Sequence, residues 1–379
     1  MHICVVAEGY PTKEDPFLPF VRALFAEIAG KGVQVTVIAP QSVSRAATHR
    51  VPVRPVRWED RVSEEASVSV LQPRYVTLSN RFASLNRKMF LNAARRAYRQ
   101  IAGSVDVLYG HFWHMGMVAK ELDETLPVFV ACGESKISVQ KRYAQSDIAD
   151  LKRRLSGVVY VGTKSWREAL DLKLQEEHPY VIAPNGYHPD KFYPKDREQV
   201  REQLGWDRDA YIVCFVGAFS ERKGSARLEA ALAKTKCCAK AVYVGRGENK
   251  PAGDNVLFAG SAAHEDVVNY LNAADVFVLP TNNEGCCNAI VEALACGLPV
   301  ISSDQLFNED ILDENCSIRV DPMDVDAIAE AIDVLYADPE RRVRLAQGAL
   351  EKAASLEIGA RAERIIDFIT DCISKVKES

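Results

Sequence analysis

The sequence contains no apolar run that approaches the roughly 18 residues needed to span a membrane. Its start, MHICVVAEGY, is typical of a strand that turns quickly into polar residues, and it lacks the charged start and apolar core of a signal peptide. The ten cysteines show neither zinc-ligand nor redox-motif spacing, and most lie inside apolar runs. We therefore expect a cytoplasmic protein with small buried thiols and without a metal site.

The composition is ordinary for a soluble globular protein, with 47% hydrophobic and 26% charged residues. At 379 residues the chain is long enough for two domains. Its formal net charge of −5 excludes a general nucleic-acid binder but allows local basic patches.

Short β-branched apolar runs alternate with longer amphipathic stretches along the chain, which is the pattern of a parallel α/β architecture. Two sets of about six such runs predict two Rossmann-like domains that face each other across a cleft. Between the sets, residues 184–199 (PNGYHPDKFYPKDREQ) are rich in proline and contain an Asn-Gly turn signal, so we expect a linker there. The predicted domains are 1–186 and 187–359, followed by a helix over 360–379.

The stretch EGCCNAIVEALACGLPV, residues 284–300, follows a buried-strand pattern and leads into a helical run. Its two carboxylates, Glu284 and Glu292, have seven residues between them. Open α/β sheets bind ligands where a parallel strand ends and opens onto a helix N-terminus. Two carboxylates at different depths suit a ligand rich in hydroxyl groups. The stretch therefore indicates a sugar-nucleotide site.

The first strand of the second domain ends in GAFSERKG, residues 217–224, just before a helical segment. Here Gly217 permits a tight turn, and Arg222 and Lys223 stand near the helix N-terminus. Backbone N–H groups, the helix dipole and two cations together form an anion site that suits a diphosphate. The alternative is that both cations belong to a solvated loop.

Two further segments, VGRGENKPAG and NVLFAG, end strands at the same edge of the predicted sheet. Gly245 and Gly247 let the backbone approach a ligand closely, with an ordinary turn as the alternative for Gly247. The apolar run from Phe258 to Gly260 is suited to offer main-chain groups and a flat wall to a base.

In the first domain, the strand VDVLY leads into Gly110-His111-Phe112-Trp113-His114. A histidine at the C-terminal edge of a sheet can hydrogen-bond a sugar hydroxyl or stabilise developing charge. The alternative is a histidine satisfied by a backbone carbonyl. A second polar cluster, residues 133–136, follows the next predicted strand at this edge.

No acidic residue occurs from Ser67 to Val105, whereas basic residues are frequent over 74–99. Within this basic segment, Phe82, Leu85 and Met89 recur at helical spacing with the cations elsewhere. Such a helix either rests on an anionic membrane surface or packs on the core with a solvated basic face.

With these motifs in place, the chain resembles the retaining family 4 glycosyltransferases of the GT-B fold, the glycosyl transferases group 1 type. The resemblance is most specific over about residues 181–335, where PNGYHPDKFYP, VGAFSERKG, ADVFVLPTNNEGCCNAIVEALACGLPVI and VDPMDVDAIAEAI occur in the family's order and spacing. The first domain matches more loosely, through YPTKEDPFLPFVRALFAEIAGKGVQVTVIAP and DVLYGHFWHMG. The family's frequent arginine after the phosphate-loop glycine is Ala218 here, so the cations further along that loop must carry more of the charge.

The resemblance implies a role for each candidate residue. Glu292 would hold the ribose hydroxyls, Glu284 the hydroxyls of the transferred sugar, and Lys223 the donor diphosphate. His111 would contact the donor sugar near the reacting centre. The remaining predicted donor-site residues are Gly217, Arg222, Gly245, Phe258, Gly260, Gly285, Cys286, Cys287 and Asn288.

The resemblance also implies the reaction: a retaining, metal-independent hexose transfer from a nucleotide-diphosphate sugar, needing no other cofactor. The acceptor would be a glycan or lipid-linked molecule bound by the first domain, in cell-surface polysaccharide assembly, with the basic segment 74–99 at the inner face of the membrane. The final helix would pack back on the first domain. Two alternatives remain: a sugar-nucleotide epimerase or phosphorylase on the same fold, and a catalytically silent sugar-nucleotide-binding subunit.

Overall fold

The computed structural model of the chain describes residues 1–12, 17–49 and 52–378. Part of the predicted first-domain motif, residues 13–16, and the last residue of the predicted C-terminal helix, Ser379, lie outside these ranges. The chain forms two compact units. The first comprises Met1–Val161, Ser165–Ala183 and Arg361–Ser379, and the second comprises Gly162–Lys164 and Pro184–Ala360.

The strands fall into one sheet of eight, one sheet of six and one small pair. In chain order they are β1 (His2–Val6), β2 (Gln34–Ile38), β3 (Gln41–Ser42), β4 (Arg57–Arg61), β5 (Ser67–Leu71), β6 (Arg74–Tyr75), β7 (Val107–His111), β8 (Val128–Cys132), β9 (Leu155–Tyr160), β10 (Tyr180–Ile182), β11 (Ile212–Val216), β12 (Lys240–Val244), β13 (Val256–Gly260), β14 (Val276–Leu279), β15 (Val300–Ser303) and β16 (Ser317–Val320).

The α-helices connect the strands of each sheet and cover its faces. They are α1 (Pro19–Gly30), α2 (Val43–His49), α3 (Ala83–Tyr98), α4 (Trp113–Ala119), α5 (Gln145–Arg154), α6 (Thr163–Asp171), α7 (Arg197–Leu204), α8 (Ser225–Leu232), α9 (Val267–Ala273), α10 (Asn288–Ala295), α11 (Val325–Ala337), α12 (Pro339–Ala354) and α13 (Ile358–Glu378).

The sheet of the first unit has the order β10-β9-β8-β7-β1-β2-β5-β4, and every neighbouring pair is parallel except β4 with β5. Its central strands are buried along their whole length, as continuous apolar runs such as HICVV require. The parallel α/β architecture is therefore confirmed. The six parallel strands expected for this unit are present, and the sheet also contains two strands that the sequence did not single out, the parallel β5 and the antiparallel β4.

The sheet of the second unit has the order β13-β12-β11-β14-β15-β16 and is parallel throughout. The strand order reverses between β11 and β14, which are hydrogen-bonded neighbours although two strands separate them in sequence. The loops that follow these two strands therefore leave the same edge of the sheet side by side. A point of this kind is where open α/β sheets bind ligands.

The segment 184–199 is not a linker, which corrects the sequence-based expectation. It clusters with the second unit, and its Tyr187 and Phe192 side chains are buried in that unit's core. Pro189 lies in a turn, whereas the Asn185-Gly186 pair does not form one. The two aromatic side chains anchor the segment by apolar burial. The predicted boundaries after residues 186 and 359 compare with 183 and 360 in the structure, and the short piece 162–164 of the second unit was not anticipated.

The helix α13 completes the core of the first unit. Its Ala362, Ile365 and Ile369 side chains are fully buried together with residues of β1, β2 and α1. Phe368 lies against Gly157 of β9, where a Cβ atom would come 2.6 Å from the Phe368 ring. The prediction of a helix at this end of the chain is confirmed, and its apolar face belongs to the first unit.

All ten cysteines fall in the described ranges as free thiols, and most are buried, as predicted for small apolar residues. Within residues 1–12, 17–49 and 52–378, none of the helices combines the length and the apolar character that a membrane span requires.

Candidate functional site

The loops that follow β11 and β14 are joined by hydrogen bonds at the edge of the second sheet. The Asn282 backbone N–H donates to the Arg222 carbonyl oxygen over 2.9 Å, and the Arg222 guanidinium donates to the Asn283 carbonyl oxygen over 2.7 Å. Arg227 of α8 donates to the Pro280 carbonyl oxygen over 2.8 Å. The two loops therefore form a single structure at the switch point.

Glu284 lies at the centre of these loops and is buried. Its Oε1 accepts hydrogen bonds from Arg222 at 2.5 Å and from Thr281 Oγ1 at 2.8 Å. The Lys223 ammonium lies 2.8 Å from the same oxygen. Two cations thus converge on one carboxylate, which leaves a net positive charge beside the N-termini of α8 and α10, where the helix dipoles are also positive.

Lys223 keeps its positive charge although most of its side chain is buried. Burial opposes the charge, but the neighbouring Cys287 and Glu284 more than offset that effect and raise the pKa of Lys223. Burial raises the pKa of the Cys287 thiol, whose sulfur lies 3.7 Å from the Lys223 Nζ. The thiol is therefore neutral at pH 7, where Glu284 provides the negative charge in this group, and Cys287 acts on the Lys223 ammonium only at alkaline pH, where the thiol ionises.

Close backbone contacts explain two glycines of the site. Gly224, the residue before α8, has φ +79°, and a Cβ atom there would come 2.5 Å from the Pro280 carbonyl oxygen. A Cβ atom at Gly245 would come 1.9 Å from the Gly217 carbonyl oxygen. Gly245 is thus required by the contact between two strand ends of the protein itself, and its close approach to a ligand stays a prediction.

Glu292 is on α10, and its Oε1 lies 3.3 Å from the Nε2 of His264, a residue that sequence reasoning did not single out. The His264 ring meets Phe192 edge-on at 5.3 Å, and two-thirds of its side chain is exposed. The hydrogen bond with Glu292 raises the pKa of His264, while burial opposes that rise. The predicted ribose-binding carboxylate therefore already has a titratable partner.

Asn185, in the segment 184–199, also contacts residues of the site. Its side-chain amide donates to the Asn288 Oδ1 over 2.8 Å, and its backbone N–H donates to the Cys286 sulfur over 3.3 Å. The Asn-Gly pair in the sequence indicated only a turn, and no signal in the sequence connected Asn185 to a residue more than a hundred positions later.

The predicted wall for a base lies at the end of β13. The Phe258 ring stacks on Tyr270 of α9 with centroids 4.7 Å apart. Gly260 follows, and its carbonyl oxygen accepts from the Gly245 N–H over 2.8 Å. The structure therefore brings the strand ends of β11, β12, β13 and β14 to one edge, together with the predicted donor-site residues of the second unit.

His111 ends β7 in the first unit and is only 5% exposed. Phe20 stacks on its ring at 5.5 Å, and Phe112 meets it at 4.7 Å. Burial, with smaller contributions from Arg361 and His114, lowers the pKa of His111 to about 3, so the imidazole is neutral at physiological pH. Its Nδ1 is buried with no hydrogen-bond partner in the part of the chain that the structure describes.

The turn after His111 has an unusual backbone. Phe112 has φ 84° and ψ 154°, a conformation that non-glycine residues rarely adopt and that costs about 1–3 kcal/mol. Glu134 stabilises this turn, since its Oε1 accepts from the Trp113 N–H at the start of α4 over 2.9 Å. Burial raises the pKa of Glu134. This gives a structural role to the polar cluster 133–136, for which the sequence alone gave none.

The second-unit loops thus offer two cations and two helix N-termini for a diphosphate and two carboxylates for hydroxyl groups. In the described ranges, no three His, Cys, Asp or Glu side chains lie together in a way that could hold a metal ion.

Residues 196–352 match the family described as Glycosyl transferases group 1. The second unit is a group 1 glycosyl transferase domain. The match spans both loops of the switch point and α10, so the family resemblance recognised in the sequence is confirmed.

The chain is similar in sequence to two curated glycosyltransferases. The chain is 26% identical over 355 residues to TuaC of Bacillus subtilis (strain 168), which is named as a glycosyltransferase of teichuronic acid biosynthesis, and covers 88% of each protein. It is 26% identical over 322 residues to the D-inositol 3-phosphate glycosyltransferase of Stackebrandtia nassauensis, covering 76% of this chain and 73% of that one.

Solved structures share the fold of this chain along nearly its whole length. Sucrose-phosphate synthase from Thermosynechococcus elongatus superposes with a TM-score of 0.78 at 20% identity, covering 99% of both chains. Alr3699/HepE of Anabaena, in complex with UDP-glucose, gives a TM-score of 0.70 at 15% identity, covering 98% of this chain and 100% of that chain. The predicted fold class, GT-B with two Rossmann-like domains, is confirmed.

Proposed function

We propose that the chain transfers a hexose from a nucleotide-diphosphate sugar to a glycan or lipid-linked acceptor, with retention of configuration and without a metal ion. The observation that carries this proposal is the convergence of Arg222 and Lys223 on Glu284 between two helix N-termini. A site built only for hydrolysis by paired carboxylates would not need this concentration of positive charge.

The donor diphosphate is proposed to compete with Glu284 for the two cations. Phosphate oxygens form strong charge-assisted hydrogen bonds with arginine and lysine, so the diphosphate takes over contacts that the carboxylate makes in the unliganded protein. Glu284 is then free to accept hydrogen bonds from hydroxyls of the hexose. Binding of the donor diphosphate therefore also frees Glu284 to contact the hexose.

During transfer, the bond between the anomeric carbon and the diphosphate oxygen breaks, and negative charge grows on the diphosphate. Arg222, Lys223 and the positive ends of α8 and α10 stabilise that charge more strongly in the transition state than in the donor. The leaving phosphate oxygen accepts the proton of the attacking acceptor hydroxyl on the same face, which gives retention. This step is taken from the family resemblance, and His111, as a neutral imidazole, would hydrogen-bond a hexose hydroxyl.

The proposed setting is cell-surface polysaccharide assembly, supported by the name of the relative TuaC. The first unit is proposed to bind the acceptor and to touch the inner face of the membrane through the basic segment 74–99. In that region, apolar side chains are exposed next to exposed cations: Val76 is 48%, Phe82 52% and Leu85 45% exposed, beside Arg81 and Lys88. Such a mixed surface suits anionic lipid headgroups.

A thermal-shift screen tests the donor half of the proposal. Nucleoside diphosphates and nucleotide sugars are added to the full chain, and one base is expected to raise the melting temperature, since a ligand that binds only the native state stabilises it. Lys223→Met should abolish the shift, whereas Lys250→Met, at an exposed position in the same unit, should not. No shift with any member of the panel would contradict the proposal.

The reaction is then tested with the donor that binds. NMR of the product gives the anomeric configuration, and a parallel reaction with excess EDTA tests metal independence. Conversion of the donor in the absence of any acceptor to an epimeric sugar nucleotide would favour the epimerase alternative. An inverted product or loss of activity with EDTA would overturn the corresponding part of the proposal.

Liposome flotation tests the membrane contact. Binding to vesicles with anionic lipid at low salt is expected to weaken as salt screens the charges, and Phe82→Ser with Lys88→Gln should weaken it further. Equal binding to neutral and anionic vesicles, or no binding at low salt, would count against the membrane contact alone.

A further inference from the structure

A cavity of about 450 Å³ opens in the first unit, at the ends of β1, β2 and β5. We propose that it binds a sugar that carries an acidic group, either a carboxylate or a phosphate ester, and that this sugar is the acceptor. That the bound sugar is the acceptor rests on the proposed function, whereas the binding of an acidic sugar depends only on the cavity.

Two arginines, Arg45 and Arg54, line the cavity. Arg54 is buried in its wall, with its guanidinium donating to the Tyr10 carbonyl oxygen and its backbone N–H donating to the Gln41 Oε1 over 3.0 Å. Arg45 projects from α2 and is exposed. Two guanidinium groups, one buried and one exposed, suit carboxylate and phosphate oxygens, which both accept paired hydrogen bonds from arginine.

Glu8, which follows β1, also lines the cavity. Its Oε1 lies 2.7 Å from the Nε2 of His114, and this hydrogen bond, more than the nearby cations, lowers the pKa of Glu8. The carboxylate is therefore ionised at neutral pH and accepts hydrogen bonds from hydroxyl groups. It also repels an acidic group, so a ligand must place its hydroxyls toward Glu8 and its acidic group toward the arginines.

Aromatic side chains complete the site. The Tyr75 ring lines the cavity and is fixed by an edge contact with Phe90 at 5.5 Å, and Phe17, 51% exposed, lines the opposite part. Sugar rings have apolar faces that pack on aromatic rings. The cavity volume falls in the range of small-molecule sites. The cavity therefore offers two arginines for an acidic group, the Glu8 carboxylate for hydroxyl groups and aromatic rings for a sugar face. This combination matches an acidic sugar better than a neutral sugar or a simple anion.

Saturation-transfer NMR on the full chain tests the inference with methyl glucuronide, glucose 6-phosphate and methyl glucoside as probes. Inorganic phosphate has no carbon-bound proton, so its binding is measured by its displacement of glucose 6-phosphate. At least one of the two acidic sugars is expected to bind at least about tenfold more tightly than the neutral glucoside, which corresponds to one charge-assisted contact. The glucuronide and the phosphate ester identify which acidic group fits. A glucoside that binds as tightly as both acidic sugars overturns the inference, and so does inorganic phosphate that binds as tightly as the sugar phosphate.

The variant Arg45→Gln is expected to lower the affinity for the acidic sugar at least about fivefold and to leave the affinity for the glucoside unchanged. Arg81→Gln, an exposed arginine of the same unit outside the cavity, is the matched control and should bind like the parent. Because Arg45 is exposed, its replacement should not impair folding. Unchanged binding by Arg45→Gln overturns the inference, and Arg54→Gln, checked for folding by circular dichroism, gives a second measurement.

The same samples are screened with nucleoside diphosphates, whose proposed site is in the second unit. If a nucleoside diphosphate binds and no acidic sugar does, only this inference fails. If an acidic sugar binds and no nucleoside diphosphate does, the proposed function fails while the cavity remains an acidic-sugar site.

Discussion

Lys223 and Glu284 form an ion pair across the switch point of the second sheet, with the Lys223 Nζ 2.8 Å from the Glu284 Oε1. The two residues belong to the loops after β11 and β14, which are neighbours only because β12 and β13 lie on the other side of β11. A corresponding relationship exists in the first unit, where Glu8 after β1 meets His114 after β7. In both units, a carboxylate and a nitrogen-bearing side chain therefore meet at the position where the strand order reverses.

The variant Glu284→Gln separates the two functions proposed for this pair. Without the carboxylate, Arg222 and Lys223 are free for phosphate oxygens, so affinity for a nucleoside diphosphate should stay the same or rise by up to about tenfold. Transfer should fall by about 10–150-fold or more, because a charged hydrogen-bond acceptor for the hexose is lost. Calorimetry and product assays measure the two effects, and Glu248→Gln, at an exposed position of the same unit, is the control. A variant with weaker diphosphate binding and normal turnover would reverse the assignment.

Affinity for the ribose should depend on pH through His264. The hydrogen bond with Glu292 raises the pKa of His264, so the protonated ring holds the carboxylate at low pH and releases it as the pH rises through the raised pKa. Nucleoside affinity should therefore increase from about pH 6 to about pH 8.5. The free energy of unfolding changes in the opposite direction. The stabilisation from the His264–Glu292 pair is fully present below the ordinary histidine pKa and is lost as the pH rises through the raised pKa.

The measurement uses an unphosphorylated nucleoside, since phosphate groups titrate in the same range. The base is the one that gives the largest thermal shift as a diphosphate. His264→Gln should flatten the pH profile, and the 2′,3′-dideoxynucleoside should show little pH dependence with the parent protein. A profile that persists in His264→Gln would show that another group is responsible.

Ionisation of the buried Glu134 carboxyl should lower the stability of the first unit as the pH rises. Burial raises the pKa of this carboxyl, so stability is fully present below the pKa of the unfolded chain and falls as the pH rises through the raised value. Glu134→Gln keeps an oxygen for the Trp113 N–H and removes the charge, so it should unfold at a higher urea concentration than the parent at pH 8 and at a similar one at pH 4. Glu134→Ala should lose about 1 kcal/mol with the helix cap. The exposed Glu124→Gln is the control, and a parent-like pH profile in Glu134→Gln would falsify the explanation.

The buried pair Arg201–Asp275 should matter for the stability of the second unit. Asp275 accepts from the Arg201 guanidinium at 2.7 Å and from the Ile212 N–H at 2.8 Å, and both charged side chains are buried. Asp275→Asn leaves the arginine charge uncompensated and should cost about 3–5 kcal/mol in urea unfolding. The exposed pair Lys234–Asp326 offers the comparison, since Asp326→Asn should cost less than about 1 kcal/mol. Equal effects of the two substitutions would contradict the role of burial.

The sequence was sufficient for the buried strands and for the expectation that the loops after β11 and β14 lie at one edge of the sheet. Runs such as IVCFV in β11 are apolar throughout because both faces of a parallel sheet are covered, and that pattern does not depend on distant residues. The cations of residues 217–224 and the carboxylates of 284–300 were recognised as parts of one site from their positions after predicted strands.

What the sequence could not provide depends on neighbours far along the chain. The strand β4 (RWEDR) alternates exposed and half-buried residues and has no apolar run, so only its pairing with β5 defines it. The same holds for the contacts of Asn185 with Cys286 and of His264 with Glu292, because neither polar residue carries a pattern of its own. Phe112 likewise has no signal in the sequence for its positive φ.

The return of α13 to the first unit has a consequence for the order in which the protein folds during synthesis. Ile3 of β1 and Ile369 of α13 belong to the same core, so the ribosome must make nearly all of the described chain before that core can close. The second unit has all but residues 162–164 in one stretch that ends at Ala360. Although domains generally fold in the order of their synthesis, we expect the later-made unit to reach its native state first, while the earlier-made unit keeps apolar surface that chaperones can bind.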